Sequence, residues 1–104
     1  MVVEQVNQSV LEDLIETKKV VVADFFAVWC GPCKMLHPIF ERVAENNQNL
    51  TFVRIDVDQD FDLAAKLGIQ SIPTIIVFKD GKEVARKLGF MGQEDFEKFI
   101  KASI

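Results

Sequence analysis

Apolar positions along the chain switch repeatedly between the two-residue period of a strand and the three-and-four spacing of a helix. "VVEQV" (2–6) is a short β-branched stretch and reads as a first strand. "SVLEDLIETK" follows, with Val10, Leu11, Leu14 and Ile15 on one helical face and Ser9 and Glu12 at capping-box spacing. "VVVADFFAV" (20–28) is then apolar throughout except for Asp24, so it reads as a buried strand. Beyond Cys33, Leu36, Ile39, Phe40, Val43 and Ala44 recur at helical spacing in a longer second helix. Pro38 lies inside it, and its missing N–H and bulky ring predict a kink there.

The second half continues the alternation. "LTFVRIDVD" sets Val53, Ile55 and Val57 on one face of a strand. "DFDLAAKLG" predicts a short helix with Asp60 as N-cap and Gly68 as its stop. "TIIVF" is another strand, and Asp80-Gly81 after it is a strong two-residue hairpin signal. "KEVARKL" carries enough Lys and Arg to suit a sheet edge, and Phe96, Phe99 and Ile100 mark the buried side of a last helix. The order β-α-β-α-β-α-β-β-α implies an α/β domain: a mixed sheet with helices on both faces.

With 104 residues, 49% of them hydrophobic and nine of them Phe, the chain suits one domain over 1–104 with one core. There is no repeat and no linker-like tract. The net charge of −4 is spread along the sequence, leaving no basic stripe for a nucleic-acid backbone. The apolar run of residues 20–30 is about half of the roughly 20 residues a bilayer span needs, so no membrane partner is expected. The N-terminus shows no basic segment followed by an apolar one, so it does not read as a secretory signal, and the cytoplasm is the expected location.

The two cysteines, Cys30 and Cys33, are separated only by Gly-Pro. So small a loop removes little entropy from the unfolded chain, which makes stability a poor reason for the pair. At a helix start, however, two sulfurs three positions apart can close and open a disulfide with little backbone movement. Pro32 suits the first helical position. Cys30, just ahead of the helix, would meet unpaired N–H groups and the positive end of the helix dipole, which favour a thiolate nucleophile. Cys33, inside the first turn, would attack the resulting mixed disulfide. Metal binding competes, since His37 could share a helix face with Cys33. One chain supplies only two cysteines and one His, short of the four ligands of a structural zinc site, though two chains together could supply four thiolates.

With "WCGPCK" placed between a strand and a helix, the sequence resembles the thioredoxin family over nearly its whole length. "DFFAVWCGPCKMLHP" (24–38), "GIQSIPT" (68–74), the "DG" hairpin and "LGF" (88–90) stand in the family's order and near its spacings. The resemblance implies the thioredoxin fold, a central five-stranded mixed sheet of order 1-3-2-4-5 flanked by four helices. It implies a protein-disulfide reductase using a Cys-Gly-Pro-Cys site, with no bound cofactor and no metal. It further assigns Asp24 as the carrier of the Cys33 proton. A lone carboxylate on a strand covered on both faces should be desolvated, which raises its pKa towards neutrality and suits that task.

Arg54 stands where the family usually has a lysine, and its permanent charge would favour ionised Asp24 if the two approach. Phe26 stands where many members have a second tryptophan. Trp29 is therefore the only indole, and it adjoins Cys30. By the same resemblance the Ile72-Pro73 bond is cis and lies beside the cysteines, where Pro73 also deters metal from the thiolates. Ile72 would hydrogen-bond an extended substrate segment there, with Trp29, Gly31, Pro32, Gly89 and Phe90 as the surrounding platform. Phe90 is bulkier than the small residue often found at its position.

The implied partners are a reductase, NADPH-dependent flavoprotein or ferredoxin-linked, and disulfide-containing clients such as peroxiredoxins, methionine sulfoxide reductases and ribonucleotide reductase, met by a monomer. Gly-Pro between the cysteines favours a reductant, because it lacks the intervening His of oxidase and isomerase relatives. The competing readings are an oxidase or isomerase domain, a non-catalytic binding subunit using the apolar rim, and a thiolate metal or cluster site.

Overall fold

The computed structural model describes residues 2–104. In chain order the elements are β1 (Val3–Gln5), α1 (Gln8–Thr17), β2 (Val20–Phe26), α2 (Gly31–Glu45), β3 (Thr51–Asp56), α3 (Phe61–Lys66), β4 (Thr74–Lys79), β5 (Lys82–Leu88) and α4 (Gln93–Ser103). The strands form one sheet of order β1-β3-β2-β4-β5, the topology the family resemblance implied. β1, β3 and β2 run parallel, while β4 is antiparallel to both β2 and β5.

Alternation along the strands divides the core in two. Val20 and Val22 of β2, Phe52 of β3, and Ile75 and Val77 of β4 pack against Leu36, Phe40 and Val43 of α2 and against Phe96 and Ile100 of α4. Phe40 is the hub of this side, stacked on Phe96 and edge-on to Phe52. Val21, Ala23, Phe25, Val53, Ile55 and Ile76 face the other way, towards Leu11 of α1 and Leu63 of α3. All seven residues of β2 are buried because the strand is central and covered on both faces.

Several local expectations hold. Gly68 ends α3 at φ +71°, where Ile69 N–H bonds Ala64 O and Gly68 N–H bonds Ala65 O in a Schellman pattern. Asp80 and Gly81 both have positive φ, as a tight hairpin requires. β5 is an edge strand with no fully buried residue, bulged where its pairing with Val77 and Phe78 shifts.

Others are corrected. The N-cap of α1 is Asn7, whose side chain accepts from Val10 N–H, and Ser9 lies inside the helix. Glu12 is bonded by Gln8 instead of closing a capping box. Val10 lies at the margin of the apolar face and is 44% exposed, while Leu11, Leu14 and Ile15 are on the packed side. Asp60 does stand at the N-cap of α3, as expected, and its carbonyl accepts from Ala64 N–H, but its side chain makes no cap bond there and instead accepts from Gln8 N–H in the first turn of α1. Pro38 lies inside α2, as read, and the helix continues past it to Glu45.

One end of this sheet gathers the site. The C-terminal ends of β2 and β3 and the beginning of antiparallel β4 meet there, with Phe26 opposite Asp56 and Phe25 opposite Thr74. Because Phe40 joins both helices of one face to the sheet, Phe40→Ala should cost about 3–5 kcal/mol, whereas Val10→Ser should stay within about 0.5 kcal/mol. Denaturant unfolding of the two variants checks the assigned faces.

Candidate active site

β2 delivers the chain through Ala27, Val28 and Trp29 to Cys30, which is the N-cap of α2 with extended backbone angles. Gly31 and Pro32 are its first and second residues, so Pro32 sits one position later than expected, still where no intrahelical N–H is needed. The Cys33 N–H points back at Cys30 Sγ, 3.2 Å away. No acidic side chain lies in the first turn of α2 to oppose the positive end of the helix. Cys30 and Cys33 are joined in a disulfide with Cα atoms 5.2 Å apart, comfortable for such a bridge. Both pack with Phe26, Ala27 and Ile72, and Cys33 is the deeper of the two.

Asp24 is wholly buried, on the sheet face that carries α2. Parallel register sets it opposite Arg54 on β3. The contact left open by the sequence is made: Arg54 Nε donates to Asp24 Oδ2 at 3.2 Å. Asp24 Oδ1 has no hydrogen-bond partner among the described residues. Loss of solvent is the largest influence on this carboxyl and pushes its pKa up; the Arg54 charge and hydrogen bond, and more weakly His37, pull it down. The result is a rise from an ordinary 3.8 to about 6. Arg54, Cys33, Phe26 and His37 line one crevice, so the carboxyl's partner and the inner sulfur share the same opening. His37 itself is half-exposed and bonded to Glu41.

The Ile72-Pro73 bond is cis. Ile72 O lies 3.8 Å from Cys30 Sγ, and Gly89 N–H bonds Pro73 O at 2.8 Å, which brings the "LGF" segment against the same loop. Two grooves open near these residues. Trp29 and Ile72 line a groove towards α3, together with Phe61, Ala64, Ile69 and Asp58. Phe90 lines a separate, more polar groove with Lys87, Asp95 and Lys98. Gly31 and Pro32 are exposed.

Sequence reasoning missed Asp58, whose Oδ2 accepts from Trp29 Nε1 at 2.8 Å. Asp56 holds Asp58 in place by accepting its N–H in an Asx turn, and the Asp-x-Asp spacing was the available signal. It also missed Phe61 and Val28, which stand 72% and 64% exposed beside Trp29 at 68%. Among the described residues no three His, Cys, Asp or Glu side chains are grouped to hold a metal, and no helix is long and apolar enough to cross a membrane.

The sequence model of the Thioredoxin family matches residues 2–102. The chain belongs to the thioredoxin family. Thioredoxin of Mycoplasmoides gallisepticum is 45% identical over 95 residues, 91% of this chain and 95% of that protein. A solved Plasmodium falciparum thioredoxin superposes with a TM-score of 0.89 at 31% identity, covering 97% of this chain and 98% of the other. A chain from a structure described as the thiol-resolving mechanism in yeast mitochondrial 1-Cys peroxiredoxin via glutathione/thioredoxin systems gives a TM-score of 0.87 at 31% identity, with 97% and 94% covered. A thioredoxin whose Cys-x-x-Cys pair closes a disulfide at a helix start is a thiol-disulfide oxidoreductase. Membership of the family implies disulfide-containing client proteins and a reductase that restores the dithiol.

Burial of Asp24 has a consequence for stability. Its pKa is higher folded, about 6, than its ordinary 3.8, so the folded state holds the proton more tightly. Below about pH 4 the carboxyl is neutral in both states and costs nothing by this route; stability falls as pH rises from 4 to 6, and the full cost persists above. Two pKa steps correspond to about 3 kcal/mol. Asp24→Asn should therefore raise unfolding stability at pH 8 by on the order of 2–3 kcal/mol, a gain that disappears below pH 4. Urea unfolding across pH checks both the sign and the window.

Proposed function

We propose that the chain is a general protein-disulfide reductase of the cytoplasm, acting as a monomer over residues 1–104. The observation that carries this reading is the Cys33 N–H aimed at Cys30 Sγ at the start of α2. In the dithiol form, that donor and the helix end favour a thiolate on Cys30. The thiolate attacks a client disulfide, forming a Cys30–client bond and expelling the client's other sulfur as a thiolate, which takes up a proton. Asp24 then receives the Cys33 proton, through water along the crevice shared with Arg54. The Cys33 thiolate attacks Cys30 Sγ, the mixed disulfide breaks, and the second client sulfur leaves with the electron pair. Two electrons pass to the client, and the protein is left with the Cys30–Cys33 bridge seen here.

Arg54 tempers the proton affinity of Asp24 without surrendering its own proton. Ile72, with its carbonyl facing Cys30, is suited to receive an extended client segment beside cis Pro73, and Trp29, Gly31, Pro32, Gly89 and Phe90 frame it. The reaction requires no bound cofactor or metal. Electrons return from thioredoxin reductase, flavoprotein or ferredoxin-linked. Peroxiredoxins are the first clients to test, because a structural neighbour is described in that context; methionine sulfoxide reductases and ribonucleotide reductase present the same chemistry.

Cys33→Ser should stall the reaction after the first step, accumulating a mixed disulfide through Cys30 with an oxidised peroxiredoxin. Cys30→Ser should give none, and either change should abolish turnover with a reductase. Non-reducing gels and intact-mass measurement read the adduct; equal trapping by both variants would contradict the assigned roles.

A further inference from the structure

Asp24 has one satisfied oxygen, and its partner is a long, flexible side chain from the neighbouring strand. The pairing is useful only if Arg54 is kept from swinging towards water, and no other hydrogen bond holds its guanidinium among the described residues. What lies against it is an aromatic ring: Arg54 Cζ stands 3.7 Å from the centroid of Phe26. Phe26 is two residues beyond Asp24 on β2, so the strand's alternation places both on one face. The ring is itself immobilised, almost fully buried and packed with Ala27, Cys30 and Cys33. Phe26 therefore touches both the cysteine pair and the cation that faces the buried carboxyl.

We propose that Phe26 is a positioning residue: its ring clamps the Arg54 guanidinium against Asp24 and thereby sets the pH at which the buried carboxyl can take the Cys33 proton. A planar guanidinium is suited to such a clamp, since it can stack on the ring through its face while its Nε edge donates to the carboxylate. Desolvation strengthens the attraction, and Arg54 is mostly withdrawn from solvent. The other charged groups around the pair are few. From α2, Lys34 and His37 line the crevice on the Phe26 side of Arg54, and His37 and Glu41 line a second crevice beyond it. From β3, Asp56 lies two residues after Arg54 on the same face, its Oδ1 engaged by Asp58 N–H. β1 contributes only neutral Gln5, opposite Arg54. Of these, His37 weakly favours the same carboxylate form that Arg54 does, but it does not hold the guanidinium in place.

The inference rests on Asp24 as the proton carrier, and the test separates the two. Asp24 is titrated by carboxyl NMR in the oxidised protein, and release of client from the Cys30 mixed disulfide is followed across pH 5–9. Without the ring, Arg54 moves away and Asp24 loses its favourable charge. In Phe26→Leu, and in Phe26→Met, which keeps more of the volume, the Asp24 midpoint should rise by about one pH unit, with client release about fivefold slower at pH 6, where the ionised fraction of Asp24 falls by that factor. Phe26→Trp, which restores an aromatic face, should bring both back. In an Arg54→Gln background the same Phe26 changes should no longer move the Asp24 midpoint, since there is no cation left to hold. An Asp24 midpoint unmoved in Phe26→Leu and Phe26→Met, or one moved equally with and without Arg54, overturns the clamp. Release with an unaltered pH profile in Asp24→Asn overturns instead the role of Asp24, and the NMR titration still decides the clamp.

Discussion

An N–H group that the first turn of α2 cannot use within the helix is directed at the sulfur of Cys30, and the thiol chemistry depends on that contact. The rest of the architecture serves to hold it. A wholly buried central strand fixes where the helix begins. Pro32, in the first turn, supplies no N–H and takes none from the helix. Phe40, locked between two other rings, ties the middle of α2 to both the sheet and α4. A helix end contributes only about 0.3–1 kcal/mol to a nearby charge when exposed, more when partly buried, so its placement against a low-dielectric wall of Phe26, Ala27 and Ile72 matters.

The same burial that strengthens the sulfur's environment works against Asp24. A carboxylate buried with only one of its oxygens bonded to the protein is costly, and the chain tolerates it because the group can hold its proton near neutrality. Arg54 limits how far that tendency goes. In the proposed mechanism, stability and function thus pull in opposite directions at Asp24, the pattern expected where a buried ionisable group serves a reaction.

The features legible in the sequence are those decided by neighbours along the chain. The Cys30–Cys33 spacing, the apolar run of β2 interrupted only by Asp24, the Asp80-Gly81 turn and the Gly68 stop each have a local physical cause, and each stands where it was read. The start of α1 was misplaced because Asn7 and Ser9 are both competent caps, and only the tertiary position of Asp60, which reaches Gln8, decides between them. The Asp24–Arg54 bond needed the β2–β3 register, which periodicity does not supply. Asp58 and Phe61 escaped for a similar reason: their importance comes from lying beside Trp29, far from them in sequence. The cis bond before Pro73 was legible only through family resemblance, since X-Pro bonds as a class favour trans.

The central claim, that this helix start makes the cysteine pair a reductant, is tested most directly by its reduction potential. Trp29, the only indole and the neighbour of Cys30, provides the fluorescence signal in a graded dithiol/disulfide buffer. Thioredoxins themselves lie at about −270 mV and protein disulfide isomerase at about −180 mV, so the family value is here a benchmark. The account predicts a single two-electron transition close to the former; a midpoint near the latter would contradict it.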